Sequence, residues 1–140
     1  MALTASIPVK EARGNYRVYP VAANKVIYAG SAVALDAAGN AVEPTAGGGT
    51  AVGVAAKLVD NTGGAAGDKS VEIHFGCFGF KNAAGADAIT QAAVGKNAYF
   101  VDGGTVAVGD GGGSRSTAGR ISFIENGLIY VNVGFGFWVS

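Results

Sequence analysis

Val71-Glu72-Ile73-His74-Phe75-Gly76-Cys77-Phe78-Gly79-Phe80 is the stretch whose reading decides the fold. Its first half alternates, with Val71, Ile73 and Phe75 on one side and Glu72 and His74 on the other, the period-two signature of a half-buried strand. At Gly76 the phase changes. Phe78 and Phe80 fall on the side that Glu72 and His74 held, while Cys77 and Gly79 continue the former inner face. A strand that exchanges its apolar face at a glycine carries a bulge or a sharp bend, because glycine alone tolerates the backbone angles and close approach required there. The stretch therefore reads as a central strand that turns a barrel corner or passes from one sheet to another.

Downstream, the strongest local signal is Asn126-Gly127 between two apolar runs, residues 120–125 and 128–133. Asn-Gly favours a type I′ hairpin, since both residues accept positive φ and the twist of the turn matches that of the strands. This register sets Phe123 opposite Tyr130 and Ile124 opposite Ile129. Both faces of the hairpin then carry large side chains, one face for the core and one for a neighbour. Between the two landmarks, residues 98–101 and 105–108 read as strands and residues 109–119 as a loop. One short helix is expected before them, about two turns between Asp87 as N-cap and Gly95 as C-terminal stop.

Upstream, strands are expected at residues 26–28 and 32–35, closed by the turn Asp36-Ala37-Ala38-Gly39-Asn40, and at residues 52–59 between two glycine-rich loops. Residues 1–24 hold Pro8, Pro20 and most of the early charge, with little periodicity, and read as an extended arm without compact structure of its own. The chain thus divides into an arm (1–24), a β-barrel-like domain (25–134) and an aromatic tail (135–140) containing Phe135, Phe137 and Trp138. Aromatic residues in such a tail pack on their own domain or anchor a subunit contact. There is also an internal echo. Gly30, Asp36, Gly39, Val42, Gly53 and Gly76 recur in spacing as Gly95, Asp102, Gly104, Val106, Gly119 and Gly134, which suits two similar β-units side by side.

Composition narrows the function classes. The chain of 140 residues suits one domain and one core. Charged residues are only 14%, so part of the surface is expected to be covered by other protein. Ten basic and ten acidic residues balance to zero and form no basic cluster, which argues against nucleic acid as a partner. The single Cys77 excludes an internal disulfide. No apolar run reaches the roughly 18 residues needed to span a bilayer. The N-terminus lacks the apolar core of a signal peptide, so synthesis in the cytoplasm with release by lysis is expected.

Residue by residue, the polar side chains read as structural. His74 beside Glu72 on a strand face reads as a hydrogen-bonded structural residue, and Cys77 as a buried free thiol whose odd spacing from His74 opposes a Cys-His dyad. The aspartates sit in turns, where they bond their own backbone. Asp60-Asn61-Thr62-Gly63-Gly64 opens like a calcium loop but lacks the later acidic ligands and the closing Glu. Neither glycine-rich loop, 47–53 or 109–119, leads from a strand into a helix, as a phosphate loop must. The reading therefore contains no catalytic residue, no cofactor and no metal, and it is not that of an enzyme.

Taken in order, Tyr16, Tyr19-Pro20-Val21-Ala22-Ala23, Ile27-Tyr28-Ala29-Gly30, Val33-Ala34-Leu35-Asp36, Ala51-Val52-Gly53-Val54-Ala55, Val59-Asp60-Asn61, Phe78-Gly79-Phe80, Val94-Gly95-Lys96, Asp110-Gly111-Gly112-Gly113-Ser114-Arg115-Ser116 and Ala118-Gly119 resemble the capsid cement, or head decoration, proteins of tailed bacteriophages. The tail from Phe135 extends beyond the usual end of that family. The resemblance implies an all-β fold, a compact β-barrel or tulip-like β-sandwich. It also implies a place on the outer surface of the virion capsid, where the protein binds the major capsid protein of the expanded shell. On this reading Arg13, Tyr16, Arg17 and Tyr19 are the expected capsid contacts. Phe123, Tyr130, Phe135, Phe137 and Trp138 are the expected self-contacts of a homotrimer or, second, a homodimer, with no nucleic acid or membrane partner. The rival reading is a carbohydrate-binding or adhesion β-module using exposed aromatics such as Tyr99 and Tyr130.

Overall fold

The computed structural model describes residues 5, 15–44 and 50–134. The fold is all-β and contains a closed five-stranded barrel. The deciding stretch does pass from one sheet to another. Its first half is β7 (Ser70–His74), in a five-stranded sheet of order β1-β7-β5-β3-β4, and its second half is β8 (Gly76–Asn82), in the closed barrel of order β10-β8-β12-β11-β9. Gly76 sits at the crossing with φ 156°, a backbone state that side chains rarely adopt. Val71, Ile73 and Phe75 are buried before it, and Phe80 after it.

The remaining strands are β1 (Tyr16–Pro20), β2 (Val26–Ile27), β3 (Ala32–Leu35), β4 (Ala41–Val42), β5 (Ala51–Ala55), β6 (Val59–Asp60), β9 (Asn97–Asp102), β10 (Thr105–Ala107), β11 (Thr117–Glu125) and β12 (Leu128–Val133). A small ribbon pairs β2 with β6. The β11–β12 hairpin has the expected register, with Phe123 opposite Tyr130 and Ile124 opposite Ile129, and Asn126 and Gly127 turn at φ 54° and 78°.

The echo in the sequence is a duplication in the fold. Read from β8, the barrel runs β8-β12-β11-β9-β10, the same order and chain sequence as β1-β7-β5-β3-β4. The closing pair is parallel in both. Thr105 and Val106 lie against Lys81 and Asn82 in the second half, and a single bridge, Val21 to Ala41, stands in the same place in the first. Even the bulges coincide. Between β3 and β5 the pairing steps from Val33–Gly53 to Ala34–Ala51, skipping Val52; between β9 and β11 it steps from Ala98–Gly119 to Tyr99–Thr117, skipping Ala118. A Cβ on Gly53 would lie 2.5 Å from the carbonyl oxygen of His74, and one on Gly119 would overlap the carbonyl oxygen of Asn132, the residue equivalent to His74. In β4 the sequence spacing was out of step by one, because pairing aligns Ala41, not Val42, with Val106.

Four expectations are corrected. Residues 16–20 of the supposed arm form β1, paired along β7 from Tyr16–His74 to Pro20–Ser70, and Val21 and Ala22 are buried. The apolar period was hidden because Arg17 occupies one of the half-buried positions of the alternation, its guanidinium 5.0 Å from the Phe75 ring centre. The single core is two apolar clusters, one around Val21, Ile27, Val33, Val71 and Ile73, the other around Phe80, Phe100, Ile121, Ile129 and Val131. Barrels this small fill with their own side chains, so each half has its own centre. In place of the helix there are two 3₁₀ turns, Gly85–Asp87 and Gln91–Ala93. The Asn82 side chain exchanges two hydrogen bonds with the backbone of Ile89, at 2.8 and 2.9 Å, and so takes the groups a helix would need. Asp87 consequently ends the first turn instead of capping a helix, and its carboxylate meets Arg115 at 3.2 Å.

Candidate interaction surfaces

The first half, a five-stranded sheet whose end strands meet at the single Val21–Ala41 bridge, is the open counterpart of the closed barrel. Each of these halves, the first and the second barrel, presents the same patch of its outer wall, built from its first and last strands. In the first barrel, β1 and β7 place Tyr16 opposite His74 and Val18 opposite Glu72. His74 Nε2 lies 3.1 Å from Glu72 Oε2, and the Tyr16 and His74 rings are 6.2 Å apart. Tyr16 and Val18 are 51% and 57% exposed, large values for an aromatic and a β-branched side chain. In the second barrel the equivalent positions are Cys77 and Gly79 on β8 and Tyr130 and Asn132 on β12. Gly79 leaves room for the Tyr130 ring, which would stand 3.0 Å from any Cβ there.

Phe123 stacks on Tyr130 with ring centres 4.4 Å apart and planes 6° from parallel. Phe123 reaches this wall because the strand bulges at Ser122: Ile121 pairs with Val131 and Phe123 with Tyr130, so Ile121 is buried and Phe123 is 42% exposed. A regular strand would have turned both inward. The extra residue turns an interior position into an exposed aromatic platform.

Of the four expected capsid contacts, Tyr16 faces outward. Arg17 and Tyr19 turn inward, Arg17 over Phe75 with a bond to the Tyr16 carbonyl at 2.6 Å and Tyr19 half-buried against the first cluster. Arg13 lies outside the described residues, as do Phe135, Phe137 and Trp138. The expected self-contacts Phe123 and Tyr130 are brought together as one stack. Val18, Glu72 and His74 beside Tyr16 were missed as a group, although the alternation of Glu72 and His74 already marked their outer face. A further exposed pair, Tyr28 and Leu58, closes the end of the β2–β6 ribbon.

Compared with known proteins, the chain matches no family model, no curated protein and no solved structure.

The polar chemistry of the described residues is used locally. Asn61, buried, donates to the carbonyls of Ala22 and Ala65 at 3.1 and 3.0 Å. Asp60 accepts from the hydroxyl and N–H of Thr62, and these two bonds hold its carboxyl below the usual range. That loop braces the first barrel against residues 21–24. Asp36 and Asp102 each accept backbone N–H groups in equivalent turns. Cys77 is exposed, which corrects its expected burial; desolvation by its surroundings pushes its thiol upward against the lowering effect of Ser122. Among the described residues no group of three His, Cys, Asp or Glu side chains is placed to hold a metal, and no helix is long and apolar enough to cross a membrane.

Proposed function

We propose that the chain is a structural virion protein that binds the outer surface of an expanded phage capsid and stabilises the shell. The observation that carries this reading is the repeated outer wall, which exposes Tyr16 and Val18 on one barrel and the Phe123–Tyr130 stack on the other. The resemblance in the sequence supports the same reading. Large apolar side chains held out on rigid strands suit contact with protein, where aromatic anchors concentrate binding energy. The partners are the major capsid protein and further copies of this chain, as a trimer first and a dimer second. The reading assigns no reaction and no cofactor to the protein, and its location is the outside of the virion after synthesis in the host cytoplasm.

Stabilisation needs only that the protein prefer the expanded lattice, because a ligand that binds one state shifts the equilibrium toward it by mass action. Contacts repeated around a shell reinforce each other through effective concentration. The test is co-sedimentation of the purified protein with expanded and unexpanded heads that lack it, counting bound copies per capsid subunit. Saturable binding to expanded heads alone is expected, and its loss in Tyr16→Ala or Phe123→Ala identifies the wall in contact. Binding to neither form of head overturns the reading.

A second reading rests on the Phe123–Tyr130 stack, whose flat exposed ring suits a sugar face as well as a protein. Glycan binding by the isolated protein, lost in Phe123→Ala, together with no head binding, favours that adhesion module.

A further inference from the structure

The duplication carries one step past β12 in the sequence. Phe75-Gly76, at the end of the first half, leads directly into β8, the opening strand of the second barrel. The equivalent Val133-Gly134, at the end of β12, leads into Phe135-Gly136-Phe137-Trp138-Val139-Ser140, which lies outside the described residues. β8 contains Phe78-Gly79-Phe80, and the segment after Gly134 contains the same triplet as Phe135-Gly136-Phe137. The segment follows β12 in the sequence as β8 follows β7, and its triplet begins one residue after Gly134 where that of β8 begins two residues after Gly76.

Among the described residues there is also a sheet edge without a neighbouring strand. Phe75 N–H donates to the Asn15 carbonyl at 2.9 Å and Val21 N–H to the Lys69 carbonyl at 2.8 Å, so the odd-numbered residues of β1 face β7. The even-numbered ones face away, as Ala22 demonstrates by donating to Ala41 of β4 at 3.0 Å. Contact with β4 begins only at Val21, so among the described residues no strand pairs with the outer edge of β1 at Tyr16 and Val18. Both side chains there are more than half exposed. Among the described residues no lysine guards this edge, and Pro20 ends it. Such an edge is a template for an added strand.

We propose that residues 135–140 of one copy add as a strand along the β1 edge of a second copy, beside Tyr16 and Val18. Tail and edge are different parts of the chain, so the contact is head to tail. It closes into a ring if the rotation between copies permits, and a closed ring leaves no edge and no tail unpaired. The inference gives the self-association of the preceding section a physical form. It rests on that part of the reading and is independent of capsid binding.

The experiment compares the full chain, a chain ending at Gly134 and the full chain carrying Val18→Pro, each by light scattering after size exclusion and by far-ultraviolet circular dichroism. Val18 N–H faces the open edge, so proline there removes no bond from the β1–β7 ladder and blocks only an incoming strand. Trp138 is the only tryptophan and reports on its own surroundings. The expected result is an oligomer for the full chain, monomers of unchanged dichroism for the two variants, and Trp138 emission that moves to the red on dilution and in Val18→Pro. A monomeric full chain, or an oligomer that survives both changes, overturns the proposal. So does emission that is independent of concentration yet reddened by Val18→Pro, which assigns the tail to the β1 edge of its own chain. Head co-sedimentation of the same Val18→Pro variant is read separately, so loss of the oligomer with retained head binding leaves the capsid reading standing.

Discussion

At Gly53 and Gly119 the backbone of one strand comes so close to a neighbouring carbonyl that no Cβ fits. The two residues hold the same place in the two barrels, one step from the residue that each bulge leaves unpaired. Alanine at either must push the strands apart or distort the bulge, and Gly119 adds the strain of φ 142°. Gly119→Ala is therefore expected to destabilise by about 1 to 3 kcal/mol, the size of a local backbone strain, and Gly53→Ala by an amount of the same order. Gly39→Ala is the control: it shares a positive φ of 85° but has nothing within 4 Å of the added carbon, so its loss should be the smallest of the three. Urea midpoints at constant slope measure all three, and a Gly119→Ala midpoint equal to that of the native chain would refute the close-approach account. Some of this was legible from sequence alone, since Gly53 and Gly119 recur at matching places in the spacing. What their glycines avoid was not, because the clash is with a carbonyl of a third strand, far away in sequence.

Among the elements, the deciding stretch and the last hairpin were readable because each signal was local. A phase change at Gly76 and an Asn-Gly turn each need only a handful of neighbouring residues. β1 and the region after Asn82 failed for the opposite reason. Arg17 in an inward position broke the apolar period, and the two bonds from Asn82 to Ile89 overrode a plausible helix. The correction changes what a truncation should do. Removing residues 1–14 leaves β1 and its pairing with β7 in the chain, so the fold is expected to survive. Removal of residues 1–24 deletes β1, uncovers the β7 edge over Val71 and Ile73, and takes Val21 out of the first cluster. Loss of one buried valine alone accounts for roughly 1.5 to 3 kcal/mol of burial, and the strand's hydrogen bonds go with it. Hydrogen exchange should then show lost protection across β3, β5 and β7. Full protection there in the longer truncation would return residues 16–24 to the status of a detachable arm.

For the whole molecule the question is whether two barrels with two apolar centres behave as two units or one. No linker separates them: Phe75 and Gly76 join β7 to β8 directly, and Thr50 bridges Thr117. Ala32 N–H donates to the Gly103 carbonyl at 2.8 Å, and Gly134 packs on Phe75 and the carbonyl of Val52. Ala32 and Ala51 belong to the first sheet by pairing but to the second cluster by packing. Opening either barrel therefore exposes apolar surface in the other, which favours one cooperative transition. Ile73→Ala in the first centre and Ile129→Ala in the second are both fully buried truncations, each expected to remove about 2 to 5 kcal/mol. At this chain length each kilocalorie shifts the midpoint by roughly 2 to 4 °C. Both variants should thus show a single, lower transition, with circular dichroism and the exchange of amides in the unmutated barrel reporting the same midpoint. If Ile73→Ala splits the melt, leaving β9, β11 and β12 protected above the temperature at which β3, β5 and β7 exchange, the barrels are separate folding units. The contacts at Thr50, Ala32 and Gly134 would then be too weak to couple them.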